Sequence, residues 1–110
     1  MSKIYKKWDI ILVNLNPTQG AEMSKVRPCL IISPNAANKA LNTLIVAPFT
    51  TTIKAYPTRL NTMYKEKAGS LAFDQIKTID KIRVVKKVGE LDKKLRPTVN
   101  TLLRIMFSEE

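Results

Sequence analysis

Short apolar runs broken by Pro- and Gly-bearing turns, followed by one helical period near the C-terminus, predict a mainly β chain. The expected fold is a small barrel or strongly curved antiparallel sheet closed by one C-terminal helix. A length of 110 residues bounds it as one domain, residues 1–110, with a single modest core. Apolar side chains make up 45% of the chain, the share of a globular protein and not of a disordered tail. The chain has no internal repeat, low-complexity tract or linker.

Each element follows from local composition. Residues 8–15 are rich in Ile, Leu and Val and stop at the Asn16-Pro17 turn signal, so they read as a first strand. Residues 18–26 hold glycine, serine and polar side chains without a period and read as a loop. Residues 27–33 form a second strand, with Pro28 confined to its start and Pro34 ending it. The alanine-containing stretch 35–42 suits a single helical turn, and 43–50 a third strand. Residues 57–62 alternate weakly, as an edge strand does; 64–69 are charged and loop-like; 70–76 return to strand character. Residues 79–85 suit a short helix or turn and 86–91 a last strand. Pro97 fits the first turn of a helix, where its missing N–H is not needed. Val99, Leu102, Leu103 and Met106 then mark one apolar helix face.

Charge narrows the function. Nineteen basic against nine acidic side chains give a formal charge of +10, which attracts polyanions: nucleic acid, an acidic protein or an anionic surface. The chain has no histidine, so the usual acid–base shuttle is missing. Cys29 is the single cysteine; it excludes an intrachain disulfide and a cysteine-based zinc site. Inside an apolar run it serves best as a small buried hydrophobe. The basic N-terminal stretch leads into residues containing Asp9 and Asn14 and lacks a cleavage signal, and no run approaches a membrane span. These features predict a cytoplasmic protein without a membrane partner, and none implies a cofactor.

The chemistry concentrates between Asn16 and Thr52. Arg27 stands, buried-looking, where a polar loop enters a strand, a place from which a guanidinium fork can reach a cleft and grip phosphate oxygens. An ion pair with Glu22 is the plain structural alternative for that arginine. Thr50, Thr51 and Thr52 put hydroxyls at the exit of the next strand, and Asp74-Gln75 interrupts a later apolar run with polar groups that need partners. Lys25, Lys54, Lys77 and Lys81 flank these loops and suit phosphate contacts. An aromatic content of 6% argues against a broad stacking platform for single strands.

The order of these pieces closely resembles the MazF/PemK toxin family, the mRNA interferases. The matching stretches are Asp9-Ile10, residues 16–22 (NPTQGAE), Arg27-Pro28 and the apolar run after it, 46–50 (VAPFT), Tyr56-Pro57, and 74–80 (DQIKTID). The resemblance implies an SH3-like barrel with a C-terminal helix, a homodimer, metal-independent cleavage of single-stranded RNA at short preferred sequences, and silencing by a cognate antitoxin. It implies Arg27 and Thr50 as the catalytic pair, with Glu22 a carboxylate used by some members. Ser24, Lys25, Thr51, Asp74, Gln75 and Lys77 would then line the RNA site. Ala21 and Ala72 stand where some members carry a histidine and a catalytic arginine, which places this chain in the branch relying on Arg27 and Thr50. Trp8 replaces the family's usual glycine before Asp9 and implies a local packing change.

A phosphodiester can break without a metal by attack of the RNA's own 2′-hydroxyl. Arg27 would stabilise the crowded phosphorane and Thr50 would donate to a phosphate oxygen. Glu22 or Asp74 would accept the proton only if burial raised its pKa above the ordinary value of ~4. Two other readings use the same fold: a non-enzymatic gyrase poison like CcdB, which depends on a tryptophan near the C-terminus that this chain lacks, and an RNA-binding module without catalysis. The resemblance implies the antitoxin, and the charge supplies its mechanism: an acidic, flexible segment of it would occupy the RNA groove.

Overall fold

The structure, a computed structural model, describes residues 3–15 and 26–109. Seven strands form one antiparallel sheet: β1 (Asp9–Asn14), β2 (Val26–Ile31), β3 (Thr43–Thr50), β4 (Arg59–Tyr64), β5 (Lys67–Ala72), β6 (Lys77–Asp80) and β7 (Val84–Glu90). Two helices complete it, the short α1 (Asn35–Ala40) and the C-terminal α2 (Arg96–Met106). The sheet runs β4-β5-β3-β2-β1-β7, with β6 on the same edge of β3 as β5. Among the described residues no pairing joins β4 to β7, so the sheet is open and does not close as a barrel.

Strand β3 organises this layout. Residues 43–46 pair with β6, whereas Phe49 and Thr50 pair with β5. Pro48 falls in the gap between these two ladders, where a residue without an N–H is tolerated. The apolar runs of β2 and β3 are long because both their faces are covered. Leu30, Ile32, Ala47 and Phe49 join Leu71, Phe73, Leu91 and Val99 in one cluster, against which Leu102, Leu103 and Met106 of α2 pack. Cys29, Ile31, Leu44 and Val46 join Ile11, Val13 and Ile79 in the other, with Tyr5, Leu15 and Val84 at its margin. The α2 face expected from residues 99, 102, 103 and 106 is thus the face that packs.

Two expectations are corrected and a third, the short helix or turn at 79–85, is narrowed. Residues 64–69 are not a loop: β4 and β5 form a hairpin around Lys65 and Glu66, with φ of 48° and 65°. Both φ values are positive, as in the tight turns normally built from Asn-Gly, so Lys-Glu carries no visible signal. Residues 70–76 are not one strand. β5 ends at Ala72 and a 3-10 turn, Phe73–Gln75, drops Phe73 into the core, so the chain can step across to form β6. Residues 79–85 are split between the end of β6, a 3-10 turn (Lys81–Arg83) whose Ile82 N–H donates to Asp80 Oδ1 at 3.0 Å, and the start of β7. The loop expected at 18–26 lies outside the described residues except Val26, which opens β2.

Trp8 has φ = 81°, the left-handed region that favours glycine and costs other residues roughly 1–2 kcal/mol. The glycine implied at this place by the family resemblance therefore has a backbone reason. Here the strain is offset around the ring. Lys7 Nζ lies 4.8 Å and the Arg96 guanidinium 5.5 Å from the ring centre, and the indole packs on the α2-side cluster. Backbone bonds from Trp8 N–H to the Ile31 carbonyl (3.0 Å) and from Leu91 N–H to the Trp8 carbonyl (2.9 Å) hold the turn.

Candidate active site at the β2–β3 strand ends

The β2–β3 ladder pairs Cys29 with Pro48, Leu30 with Ala47 and Ile31 with Val46. Continued two residues in the same register, it sets Arg27 opposite Thr50, on adjacent strands roughly 5 Å apart. Thr50 pairs with Ser70 on β5, and Ser70 with Asn61 on β4. Arg27, Thr50, Ser70 and Asn61 thus form one polar row across four strands, and side chains in such a row share a face.

Arg27 is exposed, not buried as its sequence context suggested, and its guanidinium has no ion-pair partner among the described residues. An exposed guanidinium fork suits a phosphate. Thr50 is half-buried and held in place: its Oγ1 accepts the Thr52 N–H at 3.1 Å. That bond occupies a lone pair and leaves the hydroxyl hydrogen to donate outward. The fully buried Ser70 pins the same turn by donating to the Thr52 carbonyl at 3.3 Å. Thr51 is exposed at the tip of the turn.

Asp74 and Gln75 are exposed on the 3-10 turn before β6. Asp74 is tied to Arg59, whose Nε reaches Oδ1 at 2.7 Å and whose Nη2 reaches Oδ2 at 3.2 Å. Thr58 adds a hydroxyl bond to Oδ1 at 3.0 Å. The hydrogen bond from Arg59 lowers the Asp74 pKa to about 2. The condition for Asp74 to act as a base, a raised pKa, is therefore not met; it is a fixed anion that orients Arg59. The Arg59 guanidinium also lies 5.3 Å from the Tyr56 ring centre. Because β4 alternates, Arg59 and Asn61 lie on the polar-row side.

Lys77 opens β6, exposed and opposite Val46. Its field and that of Arg27 both reach Cys29, yet burial dominates and pushes the thiol up to about 12. The thiol is inert, as a small core side chain should be. Lys54 is exposed, whereas Lys81 is half-buried and donates from Nζ to the Asn38 carbonyl, so it props the fold. Glu22, Ser24 and Lys25 lie outside the described residues. Among the described residues no three His, Cys, Asp or Glu side chains converge to hold a metal.

Next to Arg27 and Thr51 is a cavity of about 580 Å³ walled by Phe49, Tyr64, Lys65 and Lys67. It combines ring surface with cations, a lining suited to a nucleotide. The Tyr64 hydroxyl is buried without a hydrogen-bond partner among the described residues. Sequence reasoning missed Arg59, Asn61, Ser70, Lys65 and Lys67. For Arg59 and Asn61 a short signal existed, since these two polar side chains flank the apolar Leu60.

Comparison with known proteins shows the family. The model of the PemK-like, MazF-like toxins of type II toxin–antitoxin systems matches residues 6–107. A Bacillus subtilis protein named endoribonuclease EndoA is 33% identical over 111 residues, covering 96% of each chain. Endoribonuclease MazF of Staphylococcus saprophyticus is 35% identical over 104 residues, covering 88% of this chain and 87% of that one. Among solved structures, a mycobacterial endoribonuclease in complex with its cognate antitoxin superposes with a TM-score of 0.77 at 22% identity, over 96% of this chain and 99% of that one.

Proposed function

The chain belongs to the PemK-like, MazF-like toxins of type II toxin–antitoxin systems, and from that premise we propose that it is a metal-independent, sequence-preferring endoribonuclease that cleaves single-stranded RNA. The observation that carries this reading is the register that sets the exposed Arg27 guanidinium, without an ion-pair partner among the described residues, opposite the oriented Thr50 hydroxyl. In the proposed reaction the 2′-hydroxyl next to the scissile phosphate gives up its proton and attacks phosphorus, and the P–O5′ bond breaks as the 5′-oxygen takes a proton from solvent, giving a 2′,3′-cyclic phosphate and a 5′-hydroxyl. Arg27 stabilises the charge that builds on the phosphorane, the kind of preorganised electrostatics that often contributes most to catalysis. Thr50 donates to a non-bridging oxygen. With Asp74 held ionised by Arg59, Glu22 is the carboxylate left in the proposed set to accept the 2′ proton. Thr51, Gln75 and Lys77, with Ser24 and Lys25, bind the strand on either side.

The protein works in this proposal as a cytoplasmic homodimer silenced by a cognate antitoxin. Among the described residues no helix is long and apolar enough to cross a membrane. The test is incubation with a long synthetic RNA in EDTA, followed by mapping of the new ends. Cyclic phosphate and 5′-hydroxyl ends are expected, and a substrate with a 2′-deoxy sugar at the cut should bind and survive. Loss of activity in EDTA, or cutting of the deoxy substrate, would refute the mechanism.

A further inference from the structure

A second basic cavity lies at the other end of the sheet from Arg27 and Thr50. Its volume is about 460 Å³, and its wall brings together Lys3 and Lys6 from the N-terminal segment, Lys39 from α1, and Lys81 after β6. No aspartate or glutamate lines it among the described residues. The carboxylates nearest in sequence are engaged elsewhere. Asp9 accepts the Lys6 N–H at 3.0 Å and pairs with Lys87 at 3.2 Å, and Asp80 accepts the Ile82 N–H at 3.0 Å.

The floor is built of fixed polar groups. Asn38 is 2% exposed, and its Nδ2 donates to the Ser33 carbonyl at 2.9 Å while its Oδ1 accepts from Ser33 Oγ. Ser33 Oγ in turn accepts the Ile45 N–H at 3.0 Å, which ties the floor to β3. Lys81 is held by the Asn38 carbonyl, and the Lys7 N–H donates to Asn35 Oδ1 at 2.7 Å, which ties the N-terminal segment to α1. Four like charges around one rigid cavity repel one another, and an anion that enters relieves that repulsion.

We propose that this cavity is a phosphate-binding exosite that holds the RNA substrate several nucleotides from the cut. This rests on the proposed endoribonuclease function. Tyr5, which lines the cavity, packs on the cluster that contains Cys29 and Val46, so the cavity lies on the sheet face of the Arg27–Thr50 row. From Thr50 to Thr43 the β3 strand spans roughly 23 Å at ~3.3 Å per residue. Lys77, opposite Val46, stands part-way along. A bound strand that passes Lys77 places a later phosphate among Lys3, Lys6 and Lys39.

The test compares two uncleavable RNAs, 2′-deoxy at the cut: a minimal oligonucleotide around that position and the same sequence extended. Binding is followed by fluorescence anisotropy across a salt series, with wild type and the double variant Lys3→Gln/Lys39→Gln. Lys81 is left intact because it holds Asn38. The extended RNA is expected to bind wild type more tightly than the minimal one. The variant should lose roughly five- to tenfold of that gain at low salt, and its slope of log affinity against log salt should fall by about 1.4, or ~0.7 per lost phosphate contact. Its affinity for the minimal RNA should not change. Equal losses on both RNAs, or none on either, would overturn the exosite. So would a cavity that takes only free anions, with tripolyphosphate raising the Tm of wild type but not of the variant while affinity for the extended RNA stays the same in both. Binding is scored apart from cleavage, so tight exosite-dependent binding with no cutting of the all-ribose RNA would refute the enzymatic reading alone.

Discussion

Replacing Gly69 with alanine tests whether the close approach of β5 to the end of β3 sets the position of Thr50. A Cβ at Gly69 would lie 2.4 Å from the Thr50 carbonyl oxygen, 2.5 Å from Phe49 Cζ and 2.9 Å from Phe49 Cε1. A methyl group there overlaps its neighbours by most of an ångström, and the first of them is backbone that cannot rotate away. The Phe49 ring is confined too, 7% exposed and 5.8 Å from the Tyr64 ring centre. Overpacking of this kind costs about 1–3 kcal/mol, or a fall in Tm of roughly 5–15 °C for a domain of this size. The sign is informative, because a Gly→Ala change at an unstrained position stabilises by about 0.4–1 kcal/mol through the unfolded chain. Gly89 supplies the control: a Cβ built there meets nothing within 4 Å. Thermal and urea unfolding followed by circular dichroism should show Gly69→Ala destabilised and Gly89→Ala neutral or slightly stabilised. Residual cleavage by Gly69→Ala should fall mainly in kcat, since the displaced carbonyl carries the Thr50 hydroxyl with it. Equal stability of the two variants, or a destabilised Gly89→Ala, would refute the reasoning.

Three other outcomes are expected. Arg27→Ala should lose about a hundredfold or more of cleavage rate and Thr50→Ala less, both with unchanged circular dichroism; an Arg27→Ala that unfolds while Arg27→Lys stays active would make the arginine structural. Asp74→Asn should alter the acid limb of stability. A carboxyl held at about 2 stabilises the fold above its unfolded pKa of ~4, and that contribution is lost as pH falls through 2. The gap between wild type and Asp74→Asn should therefore narrow on acidification from pH ~5, and a gap that does not change with pH would remove the Arg59 pair from the account. If the proposed antitoxin silences the protein through an acidic segment, that isolated segment should displace uncleavable RNA by competing for Lys25, Arg27 and Lys77; simultaneous binding at undiminished affinity would place inhibition elsewhere.

What the sequence made legible is what depends on neighbours along the chain. The apolar runs around Leu30 and Val46 and the stripe from Val99 to Met106 report burial directly, because alternation and helical period are local properties. Residues 64–69 were misread because the hairpin is made by backbone dihedrals at Lys65 and Glu66, to which Lys and Glu contribute no preference. Asp74 was legible as a polar group needing a partner, but not that the partner is Arg59, 15 residues away, which makes the carboxylate a poor base. Lys81 and Lys77 look alike in sequence; only the fold shows that one holds a carbonyl and the other faces solvent. The glycine preference at residue 8 was visible through resemblance, and its cause needed the φ angle.

The one thiol of this chain is also a clock. Cys29 lies on β2 between β1 and β3, two residues from Arg27, and is fully shielded, with its proton held up to about 12. No reagent reaches it until these strands part, so in the native protein its rate of alkylation measures how often they do. With no other cysteine to compete, the unmodified protein reports the opening equilibrium beneath its own candidate site. A ligand that bridges Arg27 and Thr50 should slow the clock as its affinity for the closed form requires, and so should any other ligand that binds only while these strands are paired.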